Sequence, residues 1–119
     1  MGNPCILLDF KQYRIRIHKE VCRSLNNPPY VQLLINPTDM LIAIVGLDHE
    51  LRGNQTFKIT RQLNSPNDSV EINSKSFFSQ LKELSSELSD GHSYRMTGKI
   101  IQEKRIAVFP FTTLTCIDK

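Results

Sequence analysis

The segment RIRIHKEVCRSL, residues 14–25, has the pattern of a strand that runs directly into a helix. Its isoleucines alternate with Arg14 and Arg16, as in a strand with one buried side and one side in solvent. The apolar residues that follow recur at helical spacing, which predicts a short helix from about Lys19 to Leu25. This transition from strand to helix decides the fold, because the rest of the chain is organised around it and around a second copy of the same pattern.

Two further strands are predicted after this helix. The sequence NNPP, residues 26–29, ends the helix because proline cannot continue it and restricts the residue before it. Two β-rich runs follow, Tyr30–Ile35 and Leu41–Leu47, and the turn-forming residues NPTDM between them predict a hairpin. The first structural unit is therefore expected to be strand, helix, strand, strand.

The same order of elements returns further along the chain. A strand around Glu71 precedes a helix whose apolar residues, from Phe77 to Leu88, lie at the spacing of one helix face. Asn73 is the expected N-cap of this helix, since its side chain can accept from an unpaired amide of the first turn. Two β-rich runs follow, and the second of them ends at Phe109.

These patterns predict one α+β domain of 119 residues, long enough to build a single core. The first unit covers residues 11–47 and the second covers residues 69–117. A polar connector, residues 48–68, joins them, with one strand near Thr56–Thr60 and a closing turn at residues 64–68. Since each unit has one apolar face, the two are expected to pack against each other in a pseudo-twofold arrangement. In the superposition of the units, Ile42-Ala43-Ile44 aligns with Ile106-Ala107-Val108.

Composition narrows the class of protein. The formal net charge of +3 is mild, and the three cysteines have no CxxC spacing, which argues against a disulfide framework. Cys22 and Cys116 are expected to be buried thiols. No apolar run approaches the roughly 20 residues that a membrane-spanning helix needs. We therefore expect a soluble cytoplasmic protein that does not associate with a membrane.

A concentration of positive charge coincides with the opening segment. Residues 11–23 hold five Lys or Arg against one acid, Glu20. Side chains on the outer face of a strand and on the following helix could contact phosphates, which supply affinity for nucleic acid without reading its sequence. The alternative is an ordinary solvated face. The candidate nucleic-acid contacts are Arg14, Arg16, Lys19 and Arg23.

Catalytic and metal-binding signatures are not recognisable in the sequence. The three histidines lack metal-ligand spacing, and Asp48-His49-Glu50 is interpreted as a solvated turn in preference to a weak divalent-cation site. The glycines form no phosphate-binding loop and the serines have no GxSxG context. We expect no enzyme activity, no cofactor and no metal. Phe109-Pro110-Phe111 predicts either a cap on the domain's own core or an edge strand that pairs with another chain.

Residues 15–47 resemble the AbrB/MazE/MraZ-like pattern, in which a strand runs into I-x-K-E-V-x-x-x-L and then into two strands. The matching residues are Ile17, Lys19, Glu20, Val21, Leu25, Val31, Ile42 and Ile44. The resemblance implies a swapped-hairpin β-barrel that binds double-stranded DNA through a basic strand-and-helix surface. It therefore favours a nucleic-acid-binding or transcription-regulatory protein.

Residues 70–88, VEINSKSFFSQLKELSSEL, also resemble the strand and helix of a bacterial sliding-clamp domain. This second resemblance implies a single clamp-like domain as the alternative fold. The chain as a whole resembles small uncharacterised bacterial proteins. The alternative function is a protein–protein interaction module, clamp-like or antitoxin-like, that binds a protein partner or self-associates through an edge strand.

Overall fold

A computed structural model describes residues 4–51, 56–59 and 69–117. Those residues form a small α+β domain with two antiparallel five-stranded sheets and two α-helices. The helices are α1 (Lys19–Ser24) and α2 (Lys75–Leu84). The strands are β1 (Cys5–Asp9), β2 (Arg14–Ile17), β3 (Tyr30–Asn36), β4 (Leu41–Leu47), β5 (Thr56–Lys58), β6 (Val70–Asn73), β7 (Ser93–Thr97), β8 (Lys99–Ile101), β9 (Ile106–Pro110) and β10 (Thr115–Cys116).

The two sheets are open and combine strands from distant parts of the chain. Sheet A has the order β10-β7-β1-β2-β6, and sheet B has the order β5-β3-β4-β9-β8. The first strands of the two expected units, β2 and β6, pair antiparallel in sheet A. Likewise β4 and β9 pair antiparallel in sheet B. Among the described residues neither sheet closes on itself, so the expected closed barrel is not confirmed.

A single apolar core receives alternate residues from both sheets and one side of each helix. The largest side chains in it are aromatic. The ring of Phe10 lies 4.7 Å from that of Phe78 and 5.6 Å from that of Tyr94, both in edge-to-face geometry. Such pairs add about 0.5–1.5 kcal/mol each beyond the free energy of burying their area. This cluster fixes α2 against sheet A.

The helices begin and end close to their predicted bounds. The N-cap of α2 is Ser74, whose Oγ accepts from the amide of Phe77 at 3.2 Å. The prediction of Asn73 was wrong by one residue, because Asn73 ends β6 and its side chain donates to the Gln12 carbonyl. The helix also ends earlier than predicted, at Leu84, and Leu88 is buried in the turn that follows.

Asparagines terminate α1, as the sequence NNPP predicted. Asn26 and Asn27 have φ of 64° and 47°, the left-handed region that asparagine tolerates better than most residues. The amide of Asn27 donates to the Cys22 carbonyl at 2.8 Å, which satisfies an orphan carbonyl of the last turn. The chain then enters β3 without further helical residues.

Three strands were missed in the sequence. The apolar patch before residue 10 is β1, which lies at the centre of sheet A between β7 and β2. The region between the last two predicted strands contains β8, and the end of the described chain contains β10. Strands β7 and β8 are separated only by Gly98, where the chain passes from sheet A to sheet B. A Cβ at Gly98 would overlap the carbonyl oxygen of Val108.

The predicted superposition of the two units fails at its last strands. Ile42 and Ile44 are buried, whereas Ile106 and Val108 point away from the core. In the structure Ile44 lies opposite Ala107. A shift of one residue exchanges the two faces of a strand, so this part of the alignment was out of register. The turn predicted at residues 64–68 lies outside the described residues.

Candidate interaction surfaces

The outer face of sheet A carries the predicted basic strand. Side chains alternate along each strand, so the residues between the core residues point away from the core and lie together on this face. We call it the sheet A outer face. Its charged members are Asp9, Arg14, Arg16, Glu71 and Arg95. Leu7 lies among them, half-buried, with Arg16 opposite it on one neighbouring strand and Arg95 opposite it on the other.

Carboxylates on the same face pair with the two arginines of β2. Glu71 Oε2 lies 2.8 Å from Arg16 Nη2, and Glu71 Oε1 lies 3.5 Å from Arg14 Nη1. Asp9 approaches Arg14 at 3.7 Å. The sequence predicted correctly that both arginines point outward. It did not predict their ion pairs, because Glu71 lies 55 residues from Arg16 in the chain. Their charge is therefore largely balanced within the face.

The other two predicted cations lie on α1. Arg23 pairs with Glu20 at 3.1 Å on the exposed side of the helix. Lys19 is the first helical residue, and the structure gives it no ion pair within the described part of the chain. Three of the four predicted nucleic-acid contacts thus have a carboxylate partner.

Arg95 is the cation that sequence reasoning did not identify. It is exposed on β7 and forms no ion pair or hydrogen bond among the residues described. Two strand spacings, about 10 Å, separate it from Arg16 across the sheet. It also affects Cys5: burial raises the pKa of the Cys5 thiol, and the positive charge of Arg95 opposes that rise. The sequence contains a signal for this position. In SYRMT, residues 93–97, apolar residues alternate with polar ones, and the central polar residue, Arg95, is basic.

The outer face of sheet B has a different character. Register places five apolar residues together at its centre, and we call the whole side the sheet B outer face. The central residues are Leu34, Ala43, Val45, Ile106 and Val108. Around them lie Tyr30, Gln32, Leu41, Leu47, Ile101 and Pro110. The remaining members are Asn36, Thr56, Lys58 and Lys99.

Charge is confined to the edges of this surface. Within the described strands, the sheet B outer face has no carboxylate, and its two cations, Lys58 and Lys99, lie on the edge strands β5 and β8. Leu34 and Ile101 are 42% and 41% exposed. Four neighbouring strands, β3, β4, β9 and β8, therefore present a continuous apolar layer to solvent, bordered by Thr56 and Lys58 of β5. A layer of that size marks an interaction site more often than an ordinary surface.

A shallow groove of about 290 Å³ lies between α2 and the end of β3. Ile35, Pro37 and Leu84 form its apolar walls, and Gln80 and Glu83 provide its polar groups. These five residues include one ionisable side chain, Glu83. The groove therefore lacks the converging acid, base and nucleophile of a catalytic centre.

Metal-ligating groups do not cluster in the part of the chain that the structure describes. Asp48, His49 and Glu50 are all exposed, and Asp48 accepts from Arg105 Nη1 at 2.9 Å. Cys22 is fully buried, and Cys116 is only partly buried. Across the described residues, neither helix is long and apolar enough to cross a membrane.

Phe109 and Pro110 belong to β9, which lies between β4 and β8 and not at an edge of sheet B. Phe109 is fully buried, in line with the expectation that this segment caps the domain's own core. Pairing with another chain through this segment as an edge strand is therefore not available along β9.

No family model, curated protein or solved structure matches this chain. The resemblances to AbrB-like proteins and to sliding clamps therefore stay predictions. The surfaces themselves carry the functional argument. A signal for the sheet B outer face was present in the sequence: LIAIVGL, residues 41–47, is apolar at every position, whereas a half-exposed strand alternates.

Proposed function

We propose that this chain is a protein–protein interaction module without catalytic activity, and that the sheet B outer face binds an apolar protein surface. One observation carries the proposal. The centre of that face consists of Leu34, Ala43, Val45, Ile106 and Val108, and its cations lie only at the edges. An apolar centre with a polar rim is the anatomy of a protein interface.

The physical argument concerns water. Burying apolar surface contributes about 25 cal/mol per Å², and half-exposed side chains such as Val45 and Val108 still have area to bury. Strands with apolar residues on both sides normally have both sides covered. In β4 one side packs on the core, and a partner would cover the other.

A pseudo-twofold arrangement remains part of the proposal. It is supported by the antiparallel pairing of β2 with β6 and of β4 with β9, since each pair would lie across such an axis. The pairing of β3 with β4 and of β8 with β9 would be equivalent under it. The sliding-clamp-like domain is the alternative architecture, and two open sheets agree with it better than with a closed barrel.

The test uses the full chain, tagged and recovered from its native cells, with each co-purifying protein identified and then purified. Binding should be lost when Val108→Glu places a carboxylate in the apolar layer. Leu7→Glu is the matched control, because Leu7 is also half-buried but lies between arginines on the sheet A outer face. Equal binding by both variants would contradict the proposal.

Nucleic-acid binding is a second candidate, and Arg95 is the observation that favours it. Arg95 adds to Arg14 and Arg16 a third guanidinium on the same face, one without a carboxylate partner among the described residues. Binding of a DNA duplex should then weaken with rising salt and be reduced by Arg95→Ala. Absence of binding at low ionic strength would contradict this candidate.

A further inference from the structure

We infer that the occupant of the sheet B outer face is a second copy of this chain, packed face to face as a symmetric dimer. This inference rests on the proposed function, because it names the partner for the same surface. Three properties of the surface support it: its chemistry is self-complementary, its area reaches the lower bound for a biological interface, and its shape is that of a sheet that stacks on another sheet.

The chemistry of the sheet B outer face suits a copy of itself. Its three central strands carry neither a carboxylate nor a cation, so no oppositely charged partner is needed to neutralise its centre. Lys58 and Lys99 lie on opposite edge strands, where they stay in the solvated rim. Gln32 is the polar residue nearest the centre, and its side chain both donates and accepts. It can therefore pair with an amide of its own kind across the interface.

The area is sufficient for a specific dimer. The strands of sheet B are three to seven residues long. At a spacing of about 4.8 Å and a rise of about 3.4 Å per residue, they give a flat area of about 400 Å² per copy. The corrugated side-chain layer has a larger accessible surface than its flat projection. Two copies therefore bury on the order of 1,000 Å², which is the lower bound for a biological interface.

The shape of the surface fits sheet-on-sheet packing. Val45, Ile106 and Val108 are β-branched and stand on adjacent central strands, and Ala43 leaves a depression beside them. Two such faces interdigitate at a separation of about 10 Å, with their strands about 30° apart. A second copy is present wherever the chain itself is present. It can therefore cover an apolar layer that the fold always exposes.

The decisive experiment is sedimentation equilibrium of the purified full chain over a range of concentrations. The wild type should have twice the mass of one chain. Val45→Glu and Val108→Glu should each raise the dimer dissociation constant at least about 100-fold, because symmetry buries two unpaired carboxylates per dimer. Leu34→Glu is the variant that should disturb the fold least, since Leu34 is 42% exposed. Leu7→Glu, on the sheet A outer face, should leave the dimer unchanged.

The outcomes separate this inference from the proposed function. A dimer that is lost in the three sheet B variants and kept in Leu7→Glu supports both. A monomeric wild type that binds an identified different protein through Val108 overturns the second-copy inference and leaves the proposed function standing. A monomeric wild type with no identified partner that depends on Val108 overturns both. A dimer that survives all three sheet B substitutions overturns the inference as well.

Discussion

The outer faces of the two sheets differ although each belongs to an open antiparallel sheet of five strands. On sheet A the outward residues include three arginines and two carboxylates, and Arg14 and Arg16 form ion pairs with the carboxylates at 2.8–3.7 Å. On the described strands of sheet B the outward charged residues are Lys58 and Lys99, which lie on the edge strands, and the centre is apolar. The sheet A outer face therefore has the charged composition of a solvated surface, whereas the centre of the sheet B outer face has the apolar composition typical of a protein interface.

A single pair of residues expresses the contrast. Leu7 has arginines opposite it on both neighbouring strands, whose hydrocarbon stems can cover it while their charged ends reach water. Val45 has Gln32 on one side and Ile106 on the other, so no charged side chain stands directly beside it. An isolated apolar residue needs no partner. A continuous layer of apolar residues marks an interaction site more often than an ordinary surface.

The largest effect should come from the junction that holds the two faces in place. Gly98→Ala puts a Cβ against the Val108 carbonyl and within 2.9 Å of the Phe109 ring. Since Val108 belongs to the sheet B outer face and β7 to sheet A, the strain should disturb both sheets. We expect a loss of about 3 kcal/mol in unfolding free energy, measured by urea denaturation. Gly91→Ala is an informative comparison, because a Cβ there meets nothing within 4 Å although its φ is +86°; it should cost less, about 1 kcal/mol.

A smaller effect is expected from breaking the charge balance of the sheet A outer face. Glu71→Gln removes the carboxylate shared by Arg14 and Arg16. These groups are partly exposed, so the cost in unfolding free energy should be at most about 1 kcal/mol. The same change should strengthen any salt-dependent binding to duplex DNA, while leaving the dimer mass unaltered. A change in dimer mass with Glu71→Gln would show that the two faces are not independent.

A substitution in the turn between β3 and β4 is expected to stabilise the fold, whereas the preceding substitutions destabilise it. Met40 ends this turn with φ of 54°, a left-handed conformation that disfavours a side chain. Met40→Gly should therefore stabilise the fold by about 0.5 kcal/mol, after the added flexibility of the unfolded chain is subtracted. Thermal unfolding measures it, and a lowered melting temperature would contradict the assigned backbone conformation. Thr38→Gly, in the same turn, is the matched control and should not stabilise.

The smallest effect concerns Asp90, which belongs to neither outer face. The hydrogen bond from Lys82, at 3.0 Å, lowers the pKa of the Asp90 carboxyl, and one from the Tyr13 hydroxyl adds to it. A pKa lowered by folding contributes stability above the ordinary carboxyl pKa, and that stability is lost as the pH falls through the folded-state pKa. Asp90→Asn should thus be slightly less stable than the wild type at neutral pH and equal to it in acid. A difference that persists unchanged in acid would contradict this account.

Sequence alone predicted the local elements well and their assembly poorly. Alternation around Arg14 and Arg16 identified β2 and its outward side, and helical spacing identified α2, because both signals lie within a few neighbouring residues. The ion pairs of Glu71 could not be predicted, since they depend on β6 pairing with β2 across a long stretch of chain. Arg14 and Arg16 therefore looked like an unbalanced basic strand.

The sheet B outer face was missed for a related reason. LIAIVGL was interpreted as an ordinary strand, although the absence of alternation indicated apolar residues on both sides. Its neighbour β9 contributes Ile106 and Val108 from the far end of the chain. A surface made by pairing distant strands has no contiguous pattern. The one-residue error in aligning the two units also assigned Ile106 and Val108 to the wrong side of the sheet.

The central claim is that the sheet B outer face is the interface between two copies of this chain. An isotope-filtered NOE experiment on a mixture of labelled and unlabelled chains tests it most directly, because it detects only contacts between different molecules. The account predicts intermolecular NOEs among the methyl groups of Ala43, Val45 and Val108, and none from Leu7. Intermolecular NOEs from Leu7, or a dimer whose Val45 and Val108 methyls show none, would contradict it.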